Sequence, residues 1–256
     1  MIQLKSWDDI QIMRHANMLV YEVLQTLREM AVSGVATLDL DRRAHEMTLQ
    51  RGAIPAFLGY KGSSTKVVPF PGVICASVND EIVHGVPNSR PLKCGDVLSI
   101  DYGCSINGFF GDAAISFAVG GVCSDEAQLL IDTTEQCLES AIDQCKDGNR
   151  IGDISFAIQQ RAESRNFGVV REFVGHGIGK AMHEPPSVPN FGKANQGRVL
   201  RVGMVIAIEP MITQGGFETK ILEDGWTAVT KDGSLAAHFE HSVAITNNGP
   251  YVLSRP

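Results

Sequence analysis

The chain has 256 residues, 44% of them hydrophobic and 20% charged, the balance of an ordinary globular enzyme of one domain or two. Its 22 basic and 29 acidic residues leave a net charge of −7, which argues against a general nucleic-acid binder with a basic face. Six cysteines without CxxC or zinc-finger spacing read as reduced thiols of a cytoplasmic protein, and neither a signal peptide nor a membrane-length apolar run is present.

In chain order, Ser6 with Asp9 predicts a capped helix start. Ile10, Met13, Leu19, Val20, Val23, Leu24 and Leu27 keep helical spacing to about Met30. Gly34 breaks the chain, Thr37 is expected to cap a second helix reaching Gln50-Arg51, and Gly52 is its stop signal. Residues 53–72 read as loop and short strand, and Val73–Val78 as a strand. Asn79-Asp80-Glu81 then signals a turn before Ile82-Val83-His84-Gly85. Ser124 is the expected cap of a third helix, about Asp125 to Cys145, and Asp153–Arg165 reads as the fourth. Strands are expected at Val169–Val174, Val202–Ile208, Met211 to about Lys220, Gly225–Thr230 and His241–Thr246. Helix pairs alternating with antiparallel runs predict an α+β fold with helices over one face of a curved sheet. No linker divides the chain, so residues 1–256 are expected to form one catalytic domain.

The most informative stretch is Leu92–Asp112, LKCGDVLSIDYGCSINGFFGD. Asn107-Gly108 is the dipeptide of a type I′ turn, whose two central residues both need φ > 0. With those two as the loop, Ile106 faces Phe109, Asp101 lies opposite Ala114, and Asp112 lies opposite Gly103. Asp101 and Asp112 then share a face as diagonal neighbours, about 7–8 Å apart at Cα. Like charges so close need a cation between them.

The stretch has an echo. LKCGDVLSID (Leu92–Asp101) aligns without a gap on LRVGMVIAIE (Leu200–Glu209), ending in Asp101 and Glu209. Gly34 with Asp39 and Gly148 with Asp153 repeat a second spacing. Two halves related by a pseudo-twofold axis are expected, each sending an acid to one centre.

Three further candidates stand out. His176 lies among glycines in VGHGIGK, Glu209 ends the apolar run MVIAIEP, and Glu240 enters another in AAHFEHSVAIT. An acid in such a run must be paired, protonated or metal-bound. Four carboxylates and one imidazole form a hard, oxygen-rich set suited to Mn, Fe(II) or Co and less typical of structural zinc. Competing motifs fail in detail. GHGIGK has Val174 and Ala181 where a phosphate loop needs Gly and Ser or Thr, and the prolines after His183-Glu184 rule out a helical HExxH. No GxSxG supports a serine hydrolase.

The set NDEIVHG (79–85), SIDYG…GFFGD (99–112), GHGIGKAMHEPP (175–186), IAIEPMI (206–212) and EDGWTAVTKDGSLAAHFEHSVAIT (223–246) resembles the type I methionine aminopeptidases of the pita-bread fold over essentially the whole chain. The resemblance implies a curved antiparallel sheet covered by two pairs of helices. It also implies removal of the initiator methionine from nascent polypeptides with a small second residue, by two divalent ions (Co, Mn, Fe(II) or Zn). Carried over by position, Asp101, Asp112, His176, Glu209 and Glu240 are metal ligands, with Asp112 and Glu240 bridging both ions. Glu209 doubles as general base, while His84 and His183 contact the substrate backbone and the tetrahedral intermediate. Phe57, Tyr60, Phe70, Cys75, Met182 and Trp226 are expected to line the methionine slot. KGSSTKVVP, between Tyr60 and Phe70, is an insert relative to shorter members, in the role of lid or contact surface.

The chain shows no Cys/His-rich extension, no long insert between His183 and Glu209 and no preceding domain, which argues against the longer and type II forms and against X-Pro peptidases. An X-Pro aminopeptidase or prolidase is the enzymatic alternative, and a non-catalytic pita-bread binding protein the other. A monomer acting on nascent chains at or near the ribosome is expected, with no nucleic-acid motif and no membrane.

Overall fold

The structure, a computed structural model, describes residues 2–62 and 68–256. Most of the insert between Tyr60 and Phe70 therefore lies outside the described residues.

Helix α1 (Trp7–Met30) starts as the sequence predicts. Ser6 Oγ accepts from Asp9 N at 3.1 Å, and Asp9 Oδ2 accepts from Ser6 N at 3.0 Å. Helix α2 (Thr37–Gln50) departs from expectation at its cap. Ala36 occupies that position, and Thr37 is the first helical residue. The Thr37 hydroxyl is drawn off to Asn88, donating to its O and accepting from its N.

Strands β1 (Ile54–Pro55), β2 (Ile74–Val78), β3 (Glu81–Val83), β4 (Val97–Ile106) and β5 (Phe109–Ala118) follow. Helix α3 (Asp125–Ile142) is capped by Ser124 as expected but ends three residues before Cys145. Helix α4 spans Ile151–Glu163, two residues earlier at each end than the periodicity suggests. The second half continues with β6 (Gly168–Val169), β7 (Gly175–Gly177), β8 (Glu184–Val188) and β9 (Val205–Ile208). It closes with β10 (Met211–Thr213), β11 (Thr219–Ile221), β12 (Ala228–Thr230), β13 (Ala236–His238), β14 (Glu240–Thr246) and β15 (Gly249–Val252). The strands expected from Val202 and Gly225 start three residues late, at Val205 and Ala228, and that expected from Val73 starts at Ile74. Those expected from Val169 and from Met211 are cut short where residues 170–174 and 214–218 leave the ladders. Thr213 Oγ1 bonds Gly216 O there at 2.9 Å, turning the chain after β10.

The main sheet runs β1-β4-β5-β14-β9-β7-β8, with β2 added on β4 and β15 on β14. Every pairing described in it is antiparallel. The β4–β5 register matches the sequence reading: Ile106 faces Phe109, Asp101 faces Ala114, and Gly103 faces Asp112. Asn107 and Gly108 both have positive φ, 52° and 79°, as a type I′ turn requires.

The two halves repeat their joints as well as their letters. Gly34 N donates to Leu92 O, and Gly148 N donates to Leu200 O. Isolated bridges join Ala36 to Pro91 and Arg150 to Val199. Gly95 and Gly203, aligned in the echo, both have φ +90°, a left-handed conformation that favours glycine. Each helix pair covers its own half of the sheet. Leu19, Val20, Val23, Leu24 and Leu40 pack with Ile74, Leu98, Ile100 and Tyr102, while Leu130, Leu138, Ile154 and Ile158 pack with Ile206, Ile208 and Val243.

Helix α1 presses hardest on β5. A Cβ added at Gly111 would lie 2.7 Å from Asn17 N and 2.9 Å from Ala16 C, so only glycine fits under the helix backbone. Asn17 itself is fully buried, and its Oδ1 accepts from Asp112 N at 3.2 Å. The contact that seats α1 therefore also anchors the main chain at Asp112. Gly111→Ala is expected to destabilise the protein by about 1–3 kcal/mol through overpacking. A urea-unfolding midpoint lowered at unchanged slope checks this.

Candidate metal centre

The antiparallel registers bring five donors to one face of the sheet. Asp101 on β4 and Glu240 on β14 both pair with Ala114 of β5, which puts them on either side of it. Asp112 is two residues before Ala114, so it points the same way. Ser242 on β14 pairs with Ala207 on β9, which in turn pairs with His176 on β7. Glu209 follows β9 by one residue, two beyond Ala207, and returns to that face.

The five side chains converge. Asp112, His176 and Glu240 offer ligand atoms within 4.8 Å of one another. His176 Nε2 lies 3.7 Å from Asp112 Oδ2 and 3.6 Å from Glu209 Oε1. These are not ion pairs, because burial lowers the His176 pKa to about 4 and keeps the ring neutral. Its Nδ1 sits 2.9 Å from Gly177 O, a carbonyl that can only accept, so the proton is on Nδ1 and the Nε2 lone pair faces the acids. Asp101 Oδ1, Asp112 Oδ1 and Glu240 Oε1 are buried and have no hydrogen-bond partner. Burial pushes Asp101 up to about 8. Burial first, then the neighbouring carboxylates, raises Asp112, Glu209 and Glu240 well above the ordinary range.

Orphaned carboxylate oxygens beside a lone-paired imidazole are an oxygen-rich set shaped for a hard divalent cation. The residues present fit a metal centre.

The acids form the floor of a cavity of about 300 Å³. Phe57, Tyr60, Phe70, Cys75, Met182 and Trp226, all expected from the sequence to line an apolar slot, line it together with His84 and His183. Trp226 packs edge-on to Phe70 at 5.4 Å between centroids, and its Nε1 donates to Val68 O at 2.7 Å. Burial and the nearby carboxylates push the Cys75 thiol up, so it serves as an apolar wall.

His84 is held at φ 59°, uncommon for a residue with a side chain. The reason is local. A Cβ at Gly85 would fall 2.3 Å from Ala76 O, so the turn is pressed against β2 and His84 takes the strained position. Its ring meets Phe173 edge-on at 5.3 Å, and burial lowers its pKa to about 4. His183 stands at the pocket rim, its Nδ1 3.0 Å from Tyr60 Oη and its ring 4.3 Å from that of His176.

Two residues near the cage are absent from the sequence reading. His238 is buried, its Nε2 has no partner, and it lies 3.9 Å from Glu209 Oε2. Its main chain is bonded in both directions to Ser116 Oγ, at 2.7 and 2.9 Å. Its place two residues before Glu240 was the available signal. Asn190 is fully buried and donates to Glu209 O at 3.0 Å, a contact no local pattern announces.

The model of metallopeptidase family M24 matches residues 11–247. The chain is 47% identical over 254 residues to a methionine aminopeptidase of Clostridium perfringens, with 99% of each covered. It is 44% identical over 255 residues to methionine aminopeptidase 1 of Bacillus subtilis, with 100% of each covered. The crystal structure of a methionine aminopeptidase from Thermotoga maritima matches at a TM-score of 0.95 and 40% identity over the full length of both chains. A prolidase from Pyrococcus furiosus matches at 0.78 with 18% identity, covering 99% of this chain and 65% of that one, which is likeness of fold alone. Matched along nearly all its length by that family model and by relatives well above 40% identity, the chain belongs to metallopeptidase family M24.

Proposed function

We propose that the chain is a methionine aminopeptidase that removes the initiator methionine from nascent polypeptides with a small second residue. Two divalent ions, Co, Mn, Fe(II) or Zn, would be held by Asp101, Asp112, His176, Glu209 and Glu240. The observation that carries the reading is the placement of these five donors, with unpartnered buried oxygens, on the floor of a slot walled by Phe57, Phe70, Cys75, Met182 and Trp226.

Divalent ions in the cage would polarise the scissile carbonyl and acidify a water toward neutrality. The protein's own groups do the rest. The slot takes the unbranched, polarisable methionine side chain and excludes water. The substrate's free α-amine would bind at the metal centre, which would confine cleavage to the first residue. Glu209, with one oxygen toward His176 and the other toward His238, takes the proton of the attacking water and delivers it to the departing amine. His183, engaged through Nδ1, and His84 donate to the substrate backbone and to the oxygen that gains charge.

The pocket draws on residues from Phe57 to Glu240, which supports one catalytic unit over residues 1–256. Among the described residues no helix is long and apolar enough to cross a membrane, and the six cysteines are free. Free thiols fit a reducing compartment, and we place the chain in the cytoplasm as a monomer acting on polypeptides as they leave the ribosome.

Purified chain loaded with Mn or Co is expected to cleave Met-Ala-Ser and to leave Ala-Pro peptides intact. Cleavage of the X-Pro substrates instead, or of neither, overturns the assignment.

A pH dependence follows from the raised carboxylates. Below the ordinary histidine pKa near 6.5 the buried neutral histidines 84, 176, 238 and 241 offset the raised acids, because the unfolded chain protonates them and the folded chain does not. Between about 6.5 and the Asp101 value of about 8 only the acids act, so the folded metal-free chain binds more protons than the unfolded one and its stability falls as pH rises through that window. Metal binding requires the deprotonated ligands, so added Mn stabilises more as pH rises. In calorimetry the metal-free Tm is expected to drop by about 3 °C or more from pH 7 to pH 8, at about 2–4 °C per kcal/mol for a chain this size. Asp112→Asn should flatten that drop while abolishing the response to Mn and the peptidase activity. A Tm independent of pH in the metal-free protein refutes the carboxylate cage.

A further inference from the structure

The peptidase reading uses His183 but leaves open what aims it. The residue is exposed at the pocket rim, on the short connection between β7 and β8, whose apolar residues Ile178 and Met182 are buried while His183 itself is not. The next residue, Glu184, provides the anchor. Its Oε2 is 2.6 Å from Lys5 Nζ, and the two side chains are 11% and 6% exposed. Residues 179 positions apart are thus joined by a nearly dry ion pair. Charges buried to this extent are costly unless paired and fully hydrogen-bonded. Here both partners have further bonds: Lys5 Nζ also donates to Gln3 O at 3.1 Å, and Glu184 Oε1 accepts from Ala181 N at 3.1 Å. Lys5 and that backbone amide hold the Glu184 carboxyl below its ordinary range, with burial opposing them.

The chain is shaped around this pair. A Cβ at Gly179 would fall 2.4 Å from Lys5 Cε, 2.7 Å from Glu184 Oε1 and 2.8 Å from Lys5 Nζ. Lys5 is itself held at the main chain, where its N donates to Gly203 O at 2.7 Å. At the other end of the connection, Phe110 N donates to Gly179 O at 2.8 Å. The ion pair therefore ties the His183 peptide to the amino-terminal segment, and the Gly179 carbonyl ties the same connection to the start of β5. Lys5 does not line the pocket, so it acts on substrate only through this connection.

Resting on the peptidase reading, we propose that Lys5, through its buried ion pair with Glu184, is a positioning residue for His183. The pair fixes residues 179–184 and so holds His183 Nδ1 3.0 Å from the Tyr60 hydroxyl, and a phenol that donates to Nδ1 leaves the ring proton on Nε2. His183 then presents Nε2–H to the scissile peptide as a ready-made donor. Lys5→Met frees the connection, and the donor is lost in the transition state more than in the bound ground state.

The test compares the metal-loaded parent with Lys5→Met, Lys5→Arg and Gly179→Ala on Met-Ala-Ser, with folded fraction and Mn affinity measured in parallel. Lys5→Met is expected to lower kcat tenfold or more, with KM and Mn affinity changed less than twofold. Lys5→Arg, which keeps the charge and two donors, should recover most of the loss, and Gly179→Ala should reproduce it by displacing the pair. A kcat unchanged in Lys5→Met overturns the proposal, as does a loss that tracks the folded fraction and is not recovered by arginine.

A second readout does not depend on activity. Long-range ¹⁵N spectra of the metal-free protein should show His183 as a single Nε2–H tautomer in the parent and as an averaged mixture in Lys5→Met. Identical ring spectra overturn the positioning role. A parent that cleaves no methionine peptide sinks the peptidase reading alone and leaves the spectra to decide this one.

Discussion

The structure depends on an unfavourable arrangement: four carboxylates gathered on one face of a sheet, with oxygens that have no hydrogen-bond partner. Left to themselves the acids repel one another and must hold protons that water would normally strip away. A protein evolving for stability alone would replace Asp112 and Glu240 with apolar residues. The surrounding elements instead hold the arrangement in place. Asn17 of α1 bonds the Asp112 amide, Ser242 Oγ donates to the Asp112 carbonyl, and Asn190 donates to the Glu209 carbonyl. Neutral donors and acceptors secure the main chain, leaving the carboxylate oxygens free. That division of labour is what a cation site requires.

The pseudo-twofold halves explain how so many acids reach one place. Asp101 and Glu209 are aligned in the internal echo, one at the heart of β4 and one just beyond β9, and their glycines at 95 and 203 share the same left-handed backbone. Duplication of one half brings two equivalent acids to the common axis without separate invention. Asp112 and Glu240 continue the pattern, each on the strand paired with the one that leads to its half's acid, β5 beside β4 and β14 beside β9. His176, from a short strand of the second half, breaks the symmetry. Two similar halves thus make a centre with two chemically different sides.

Much of this was legible in the letters because the decisive information was local. The Asn107-Gly108 turn sets the register of the hairpin, and register decides which face Asp101 and Asp112 share. The Ser6 and Ser124 caps were equally readable, since a cap is settled by three or four neighbouring residues. Where a long-range partner intervened, the sequence misled. Thr37 looks like a cap, yet its hydroxyl is claimed by Asn88, 51 residues away. The strands after Val169 and Met211 end early because tertiary turns, such as the Thr213–Gly216 bond, compete with an apolar pattern that would extend them. His238 and Asn190 escaped notice for the same reason: what matters about them is a neighbour brought by another strand or loop.

The cage and the Lys5–Glu184 pair show two opposite treatments of buried charge in one molecule. In the cage, like charges are concentrated and left unsatisfied, so they are available to something that arrives from solution. At Lys5, opposite charges are matched, and both partners are further bonded to the main chain at Gln3 and Ala181. The first arrangement can do chemistry because it is unfinished, and the second can only hold position because it is complete. The connection carrying His183 runs between them, from β7, which supplies His176, to Glu184 at the start of β8. A side chain exposed at a pocket rim gains in order from being tied to the finished end. The strain at His84, set by the tight approach of Gly85 to β2, holds another histidine of the same pocket by sterics rather than charge.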